Sequence, residues 1–175
     1  MVAISLEKNS PLTQEFLRRL LHYDPETGVF RWMVDRIGRG GKILAGTEAG
    51  MCAADGYRYI GIGQERYAAK DLAWLYMTGE WPAAVVDHKN RQRGDDRWGN
   101  LRAASWVQNC QNKSLRSDNA SGVAGVSFDK ARGKWMARIK VGDKYLMLGR
   151  FATKEDAIAE RRRAEQDHFG EFAPA

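Results

Sequence analysis

The chain has 175 residues, 43% of them hydrophobic, which is enough for one domain or two small ones, and no apolar run is long enough to span a membrane. A formal net charge of +6 and a pI near 9.4 favour a polyanionic partner over an acidic one. With only Cys52 and Cys110, a disulfide framework and a four-cysteine structural zinc site are both excluded, so two reduced, buried thiols in a cytoplasmic protein are expected. The opening residues MVAISLEKNSPL lack the long apolar segment of a secretory signal, which points the same way.

In chain order, residues 1–10 read as loose, and Ser10-Pro11 as a helix start, because proline suits the first helical position. Phe16, Leu17, Leu20 and Leu21 follow with a helical period, leaving Arg18 and Arg19 on a solvated face. Tyr23-Asp24-Pro25-Glu26-Thr27-Gly28 is a turn, since proline and glycine supply the special backbone angles, and Val29 to Trp32 is a strand. The glycine-rich stretch 37–50 reads as a loop with a short strand near Leu44-Ala45. Asp55-Gly56 turns into the alternating run Tyr57 to Ile62, and these strands are expected to build one small antiparallel sheet. Leu72 to Tyr76 is a buried helix ending near Gly79.

Residues 85–109 read VVDHKNRQRGDDRWGNLRAASWVQN. A short apolar strand stops at Asp87-His88, a basic loop follows, and Asn100-Leu101-Arg102 leads to Ser105-x-x-Gln108, a capping box that starts a helix carrying Asn109. These residue types suit phosphodiester hydrolysis. A neutral imidazole such as His88 is a base near physiological pH, and oxygen donors such as Asp87 and the Asn109 amide can hold a hard divalent cation. Asn100 is placed to fix the loop or to orient the histidine. Lys89, Arg91, Arg93, Arg97 and Arg102 crowd around the motif against only Asp95 and Asp96, a patch suited to phosphates of any sequence.

Asp87-His88, Asn100 twelve residues after His88, and Asn109 nine further on resemble the HNH nuclease motif, in the variant whose last position is Asn. Phage-type homing endonucleases with a ββα-metal site carry that variant. The resemblance implies His88 as general base, Asp87 and Asn109 as metal ligands, and Asn100 as an orienting residue. The order Tyr-Asp-Pro-Glu-Thr-Gly, Leu-Ala-Trp-Leu-Tyr, Thr-Gly-Glu-Trp-Pro, Asp-His also resembles phage and prophage HNH endonucleases. In those relatives a His-Arg pair precedes Leu-Ala-Trp, where this chain has Lys70-Asp71.

Residues 113–121 (KSLRSDNAS) are polar and without apolar period, which marks a linker. Val123 to Phe128, Lys134 to Val141 and Lys144 to Phe151 then read as three strands, and a Thr153-x-x-Asp156 cap opens a helix to about His168. Alternation puts Trp135, Ala137, Ile139 and Val141 on the face toward the helix, with Lys134, Met136, Arg138 and Lys140 on a basic face shaped for the major groove. Ser-Gly-Val-x-Gly-Val, Gly-Lys-Trp-x-Ala and Leu-Gly-x-Phe resemble the ethylene-response-factor-type DNA-binding domain over about residues 121–172. That resemblance implies groove contact by Arg138, Lys140, Tyr145 and Ser127. The helix departs from the type at Glu160, Arg161, Arg162 and Arg163, so it either docks less firmly or adds phosphate contacts.

The expectation is an α+β protein: an HNH nuclease domain at 1–113 with its motif at 85–113, a linker at 114–120, and at 121–173 a three-stranded antiparallel sheet packed on one helix. Its expected activity is metal-dependent endonuclease cleavage of double-stranded DNA by a monomer or homodimer. Mg²⁺ is the expected cofactor, with Mn²⁺ as a substitute. The alternative is a non-catalytic DNA-binding regulator on a degenerate nuclease core, with Lys70-Asp71 as its support. An RNA-binding module is disfavoured, because the aromatic residues are accounted for as core.

Overall fold

A computed structural model describes residues 12–38, 40–111, 119 and 121–173, and shows an α+β chain of small antiparallel sheets. The loose N-terminal stretch, the Ser10-Pro11 helix start and residues 114–118 and 120 of the expected linker lie outside the described residues. Two compact units divide the chain, Met1–Ala104 and Ser105–Ala175, so the division falls ahead of that linker.

In the first unit, α1 (Gln14–Leu20) begins under Thr13, whose hydroxyl accepts from the Phe16 amide at 3.3 Å. Leu17 and Leu20 are buried as the helical period requires, but Leu21 leaves the helix and opens β1 (Leu21–Asp24). Alternation then replaces the helical stripe: Leu21 and Tyr23 are buried and His22 between them is exposed. Strand β2 (Val29–Trp32) pairs antiparallel with β1, from Asp24 opposite Val29 to Leu21 opposite Trp32. The turn between them is built by Asp24, whose carboxylate accepts from the Glu26 amide at 3.0 Å and the Thr27 hydroxyl at 2.7 Å.

The stretch expected to be a loop with a strand at Leu44-Ala45 holds a hairpin instead, β3 (Arg36–Gly38) with β4 (Gly41–Ile43). Asp35 supports it from outside the ladder, accepting from the Ala45 amide at 3.0 Å and pairing with Lys42 at 3.0 Å. Strands β5 (Met51–Cys52), β6 (Arg58–Ile62) and β7 (Glu65–Ala68) form a three-stranded sheet, and α2 (Ala69–Thr78) ends at Gly79. Strands β8 (Val85–His88) and β9 (Leu101–Ala104) pair by themselves. The single supporting sheet expected from sequence is therefore several separate ladders. They share one core, with Leu17, Leu21, Tyr23, Phe30, Ile60, Leu72, Leu75 and Val86 fully buried. Cys52, expected to be buried, is exposed on the two-residue β5; the side chain of Cys110 lies outside those described.

The second unit opens with α3 (Trp106–Gln111). Its capping box forms as read: the Ser105 amide donates to Gln108 Oε1 at 2.7 Å and the Gln108 amide to Ser105 Oγ at 3.2 Å. Strands β10 (Val126–Asp129), β11 (Lys134–Val141) and β12 (Lys144–Phe151) make an antiparallel sheet in that order. Helix α4 (Lys154–Phe169), capped by Thr153, packs on the sheet around Val126, Ala137 and Ala157. The arginines of α4 do not share one role. Arg161 is buried, donating from Nε to the Ala124 carbonyl at 2.7 Å and pairing with Glu165 at 3.0 Å, while Arg162 and Arg163 are exposed. The helix thus docks through Ala157, Arg161 and Ala164, and Arg161 is withdrawn from any phosphate contact.

Candidate functional site

Val85 and Val86 drive β8 inward, and the strand carries two polar residues with it: Asp87 is 6% exposed and His88 4%. Burying such groups costs several kcal/mol in order of magnitude unless each meets a partner. Both do. Asp87 stands opposite Arg102 in the β8–β9 register, and Arg102 donates from Nε at 3.0 Å and from Nη2 at 2.8 Å, both onto Asp87 Oδ2. His88 Nε2 lies 2.9 Å from Oδ1 of Asp96, itself 3% exposed.

Asp96 is the site residue that sequence reasoning missed. It sits in a run of loop charges and reads there as a counter-charge to the arginines. Its burial comes from elsewhere in the chain. The buried Tyr23 hydroxyl donates to the Asp96 carbonyl at 2.6 Å, and the Trp98 amide donates to the Pro25 carbonyl at 2.9 Å. Burial, reinforced by the Asp96, Asp24 and Asp95 carboxylates, pushes the Tyr23 phenol well above its ordinary value. Gly28 has φ +74°, and a Cβ there would lie 2.5 Å from both Arg97 N and Asp96 C. The Asp24–Gly28 turn is therefore the seat on which Asp96 rests.

Asn100 sets the shape of the loop. Its Oδ1 accepts from the Asn90 amide at 3.0 Å; its Nδ2 donates to Asn90 Oδ1 at 3.0 Å and to the Asp95 carbonyl at 2.8 Å. Of the two roles open to it from sequence, the contacts are those of a loop clasp. Within that clasp Arg91 holds φ +63°, a region that non-glycine residues seldom enter.

The expected cationic patch is largely tied up within the protein, partly by its own loop and partly by neighbouring segments. Lys89 donates to the Gly99 carbonyl at 2.8 Å, and Arg93 to the Asp55 carbonyl at 2.8 Å. Arg97 forks onto Asp95 with two bonds of 2.6 Å, which hold the Asp95 carboxyl down at about 2. Arg102 turns inward to Asp87, with only 10% of its side chain exposed. Lys70 donates to the Val86 carbonyl at 2.7 Å beneath β8. Burial raises the carboxyl of Asp71 above its ordinary range, with Lys70 and His88 opposing and Asp96 adding to the shift. A cleft of about 400 Å³ lined by Pro25, Glu26, Asn90, Arg97, Gly99 and Asn100 lies in the same unit; neither Asp87 nor His88 lines it.

In the second unit Asn109 sits half-buried on α3, its amide donating to the Ser105 carbonyl at 3.0 Å. The face of β11 opposite Ala137 and Ile139 carries exposed Lys134, Arg138 and Lys140. Tyr145, 64% exposed and opposite Lys140 in the ladder, has the Arg138 guanidinium 5.1 Å and the Lys140 ammonium 5.9 Å from its ring centre. Ser127, on β10, is exposed as well.

Mg²⁺ takes one or two carboxylates with amide, water and phosphate oxygens, and Asp87 and Asn109 are donors of that kind. The Arg102 bonds to Oδ2 leave the Asp87 carboxylate paired, so a cation would share it with a guanidinium. Among the described residues no group of three or more His, Cys, Asp or Glu side chains is gathered as a metal site.

Residues 67–110 match a family model described as HNH endonuclease, which supports an HNH nuclease domain and a DNA-cleaving function in this stretch. The match takes in α2, β8, β9 and the sequence positions Asp87, His88, Asn100 and Asn109. No curated protein matches the chain. Among the described residues no helix is long and apolar enough to cross a membrane.

Proposed function

We propose that the chain is a metal-dependent DNA endonuclease of the phage homing type, with its reaction centre at the end of β8. The observation that carries this reading is the His88 imidazole buried against a carboxylate beside a second, ion-paired carboxylate, inside the stretch that matches the nuclease family. An imidazole so held is oriented before substrate arrives, which suits a general base.

In this reading His88 takes the proton of the attacking water, and Asn100 keeps the loop in the shape that admits the phosphate. Asp87 and the Asn109 side-chain oxygen hold the divalent cation of a ββα-metal site, Mg²⁺ or Mn²⁺, whose chemistry when bound is to neutralise the departing 3′ oxygen. Asn109 enters by its sequence spacing. Lys89, Arg91, Arg93 and Arg97 border the scissile phosphate, and Arg102 acts through Asp87. The second unit grips the duplex as an ethylene-response-factor-type sheet through Ser127, Lys134, Arg138, Lys140 and Tyr145. One copy nicks one strand; a homodimer cuts both.

Supercoiled plasmid incubated with Mg²⁺ or Mn²⁺ tests the reading. Nicked or linear product that disappears with chelator is expected. His88→Ala should lower cleavage by about 10² to 10⁴-fold while gel-shift binding persists. His88→Gln, closer in size, guards against loss of fold. A second reading, a DNA-binding regulator on a non-catalytic core, is favoured by one observation: Asp71 adds a half-buried acid whose carboxyl feels both His88 and Asp96. Binding without metal-dependent cutting, or equal cutting by the His88 variants, would decide for it.

A further inference from the structure

Of the buried polar side chains in the first unit, the proposed reaction leaves Asp96 without a part. Its placement is over-determined: Tyr23 holds its carbonyl, Gly28 lets the turn close onto its backbone, and its carboxylate meets His88 at 2.9 Å with both side chains below 5% exposed. A carboxylate only accepts, so the imidazole donates to it from Nε2. A neutral imidazole protonated at Nε2 carries its lone pair on Nδ1.

We infer that Asp96 is the positioning residue of His88: it fixes the ring and keeps the proton on Nε2, so that Nδ1 is the nitrogen that acts as base. The chemistry rests on the endonuclease reading, whereas the tautomer does not. In the step itself a water O–H bond breaks, its proton goes to Nδ1, and the oxygen forms a bond to phosphorus. The bond from phosphorus to the 3′ oxygen breaks, with its electron pair leaving on that oxygen. The imidazolium formed keeps its Nε2 hydrogen bond, and its charge is met by Asp96 at the moment it develops. Oδ2 of Asp96 has no hydrogen-bond partner among the described residues, so the second carboxylate oxygen stays buried without one. That arrangement is costly for stability alone.

Long-range proton–nitrogen NMR on the metal-free full chain, well above the ordinary imidazole pKa of about 6.5, reads the tautomer directly. The chain has three histidines, and the His88→Gln spectrum assigns the signal. Wild type should show His88 protonated at Nε2. Asp96→Asn keeps the Tyr23 anchor, which is to the backbone, but can offer Nδ2 in place of Oδ1. In that variant the proton should move partly or wholly to Nδ1, with single-turnover cleavage falling on the order of 10² to 10⁴-fold at unchanged plasmid affinity. A wild-type His88 protonated at Nδ1 overturns the inference. So does an Asp96→Asn that cleaves like wild type, or one that loses cleavage with the tautomer unchanged. Wild type that cuts with no metal offered overturns the metal-dependent reading, and wild type that never cuts overturns the endonuclease reading; in both cases the spectrum still decides the role of Asp96.

Discussion

Arg102 and Asp87 in the first unit are 10% and 7% exposed at the side chain and meet at 2.8 Å, whereas Arg138 and Lys140 in the second stand in solvent beside the exposed Tyr145 ring. Both sets of cations come from strands in a basic chain, and their composition does not tell them apart. What separates them is the face of the strand. Arg102 is a ladder partner of a buried carboxylate, and a buried charge is tolerated only when paired. Arg138 and Lys140 alternate with buried Ala137 and Ile139, so they project into water, which solvates their charge. The second unit contains a control within itself, since Arg161 on α4 is buried against Glu165. Counting arginines would thus overstate the exposed cationic surface in both units.

Substitutions can break this contrast. The largest effect on stability should come from Arg102→Ala, which removes two bonds to a buried carboxylate and should cost about 3–5 kcal/mol in urea unfolding. The Asp87→Asn/Arg102→Gln pair should recover much of that loss. Arg138→Ala, by contrast, should stay within about 0.5 kcal/mol of wild type. Equal losses from Arg102→Ala and Arg138→Ala would erase the distinction. Gly28→Ala comes next. Its Cβ would press on the Asp96-Arg97 backbone in a positive-φ conformation, for about 1–3 kcal/mol by the same measurement.

A smaller effect is expected from Asp95, whose folded carboxyl lies at about 2 because Arg97 first, and Asn90 with it, bond the charged form. A depressed carboxyl stabilises the fold above its unfolded value of about 3.9 and stops doing so as pH falls through the folded value. Asp95→Asn should therefore lower the urea midpoint at neutral pH, with the gap to wild type closing between about pH 4 and pH 2. A gap that persists at pH 2 would separate it from this carboxylate. The smallest effects belong to the exposed face. Arg138→Gln and Lys140→Gln should each weaken DNA binding uniformly across sequences and reduce the salt slope by about 0.9. An unchanged slope would mean that the face does not meet phosphate.

Much of this was legible in the primary structure. The three C-terminal strands, the Thr153 cap and the Ser105–Gln108 box follow from period-two alternation and local capping, which act over a few residues. Asp87, His88, Asn100 and Asn109 stand out because their types and spacing resemble a nuclease motif, and the stretch that holds them matches the HNH family model. The β3–β4 hairpin escaped notice because its strands are short and rich in glycine, with no alternation to read. Leu21 fits the helical and the strand pattern alike, so its place at the start of β1 is set by packing and not by its period.

The order of residues supplied the side chains: an acid, an imidazole and two carboxamides in a basic segment, and a strand with cations on alternate positions. Tertiary structure alone decided their employment. Asp96 rather than Asp95 became the partner of His88 because Tyr23 and Gly28, some seventy residues earlier, bury one loop carboxylate and leave its neighbour on Arg97. Such contacts join segments far apart in the chain, and burial, which sets the worth of every charge here, is a property of what packs around a residue and not of the residue itself.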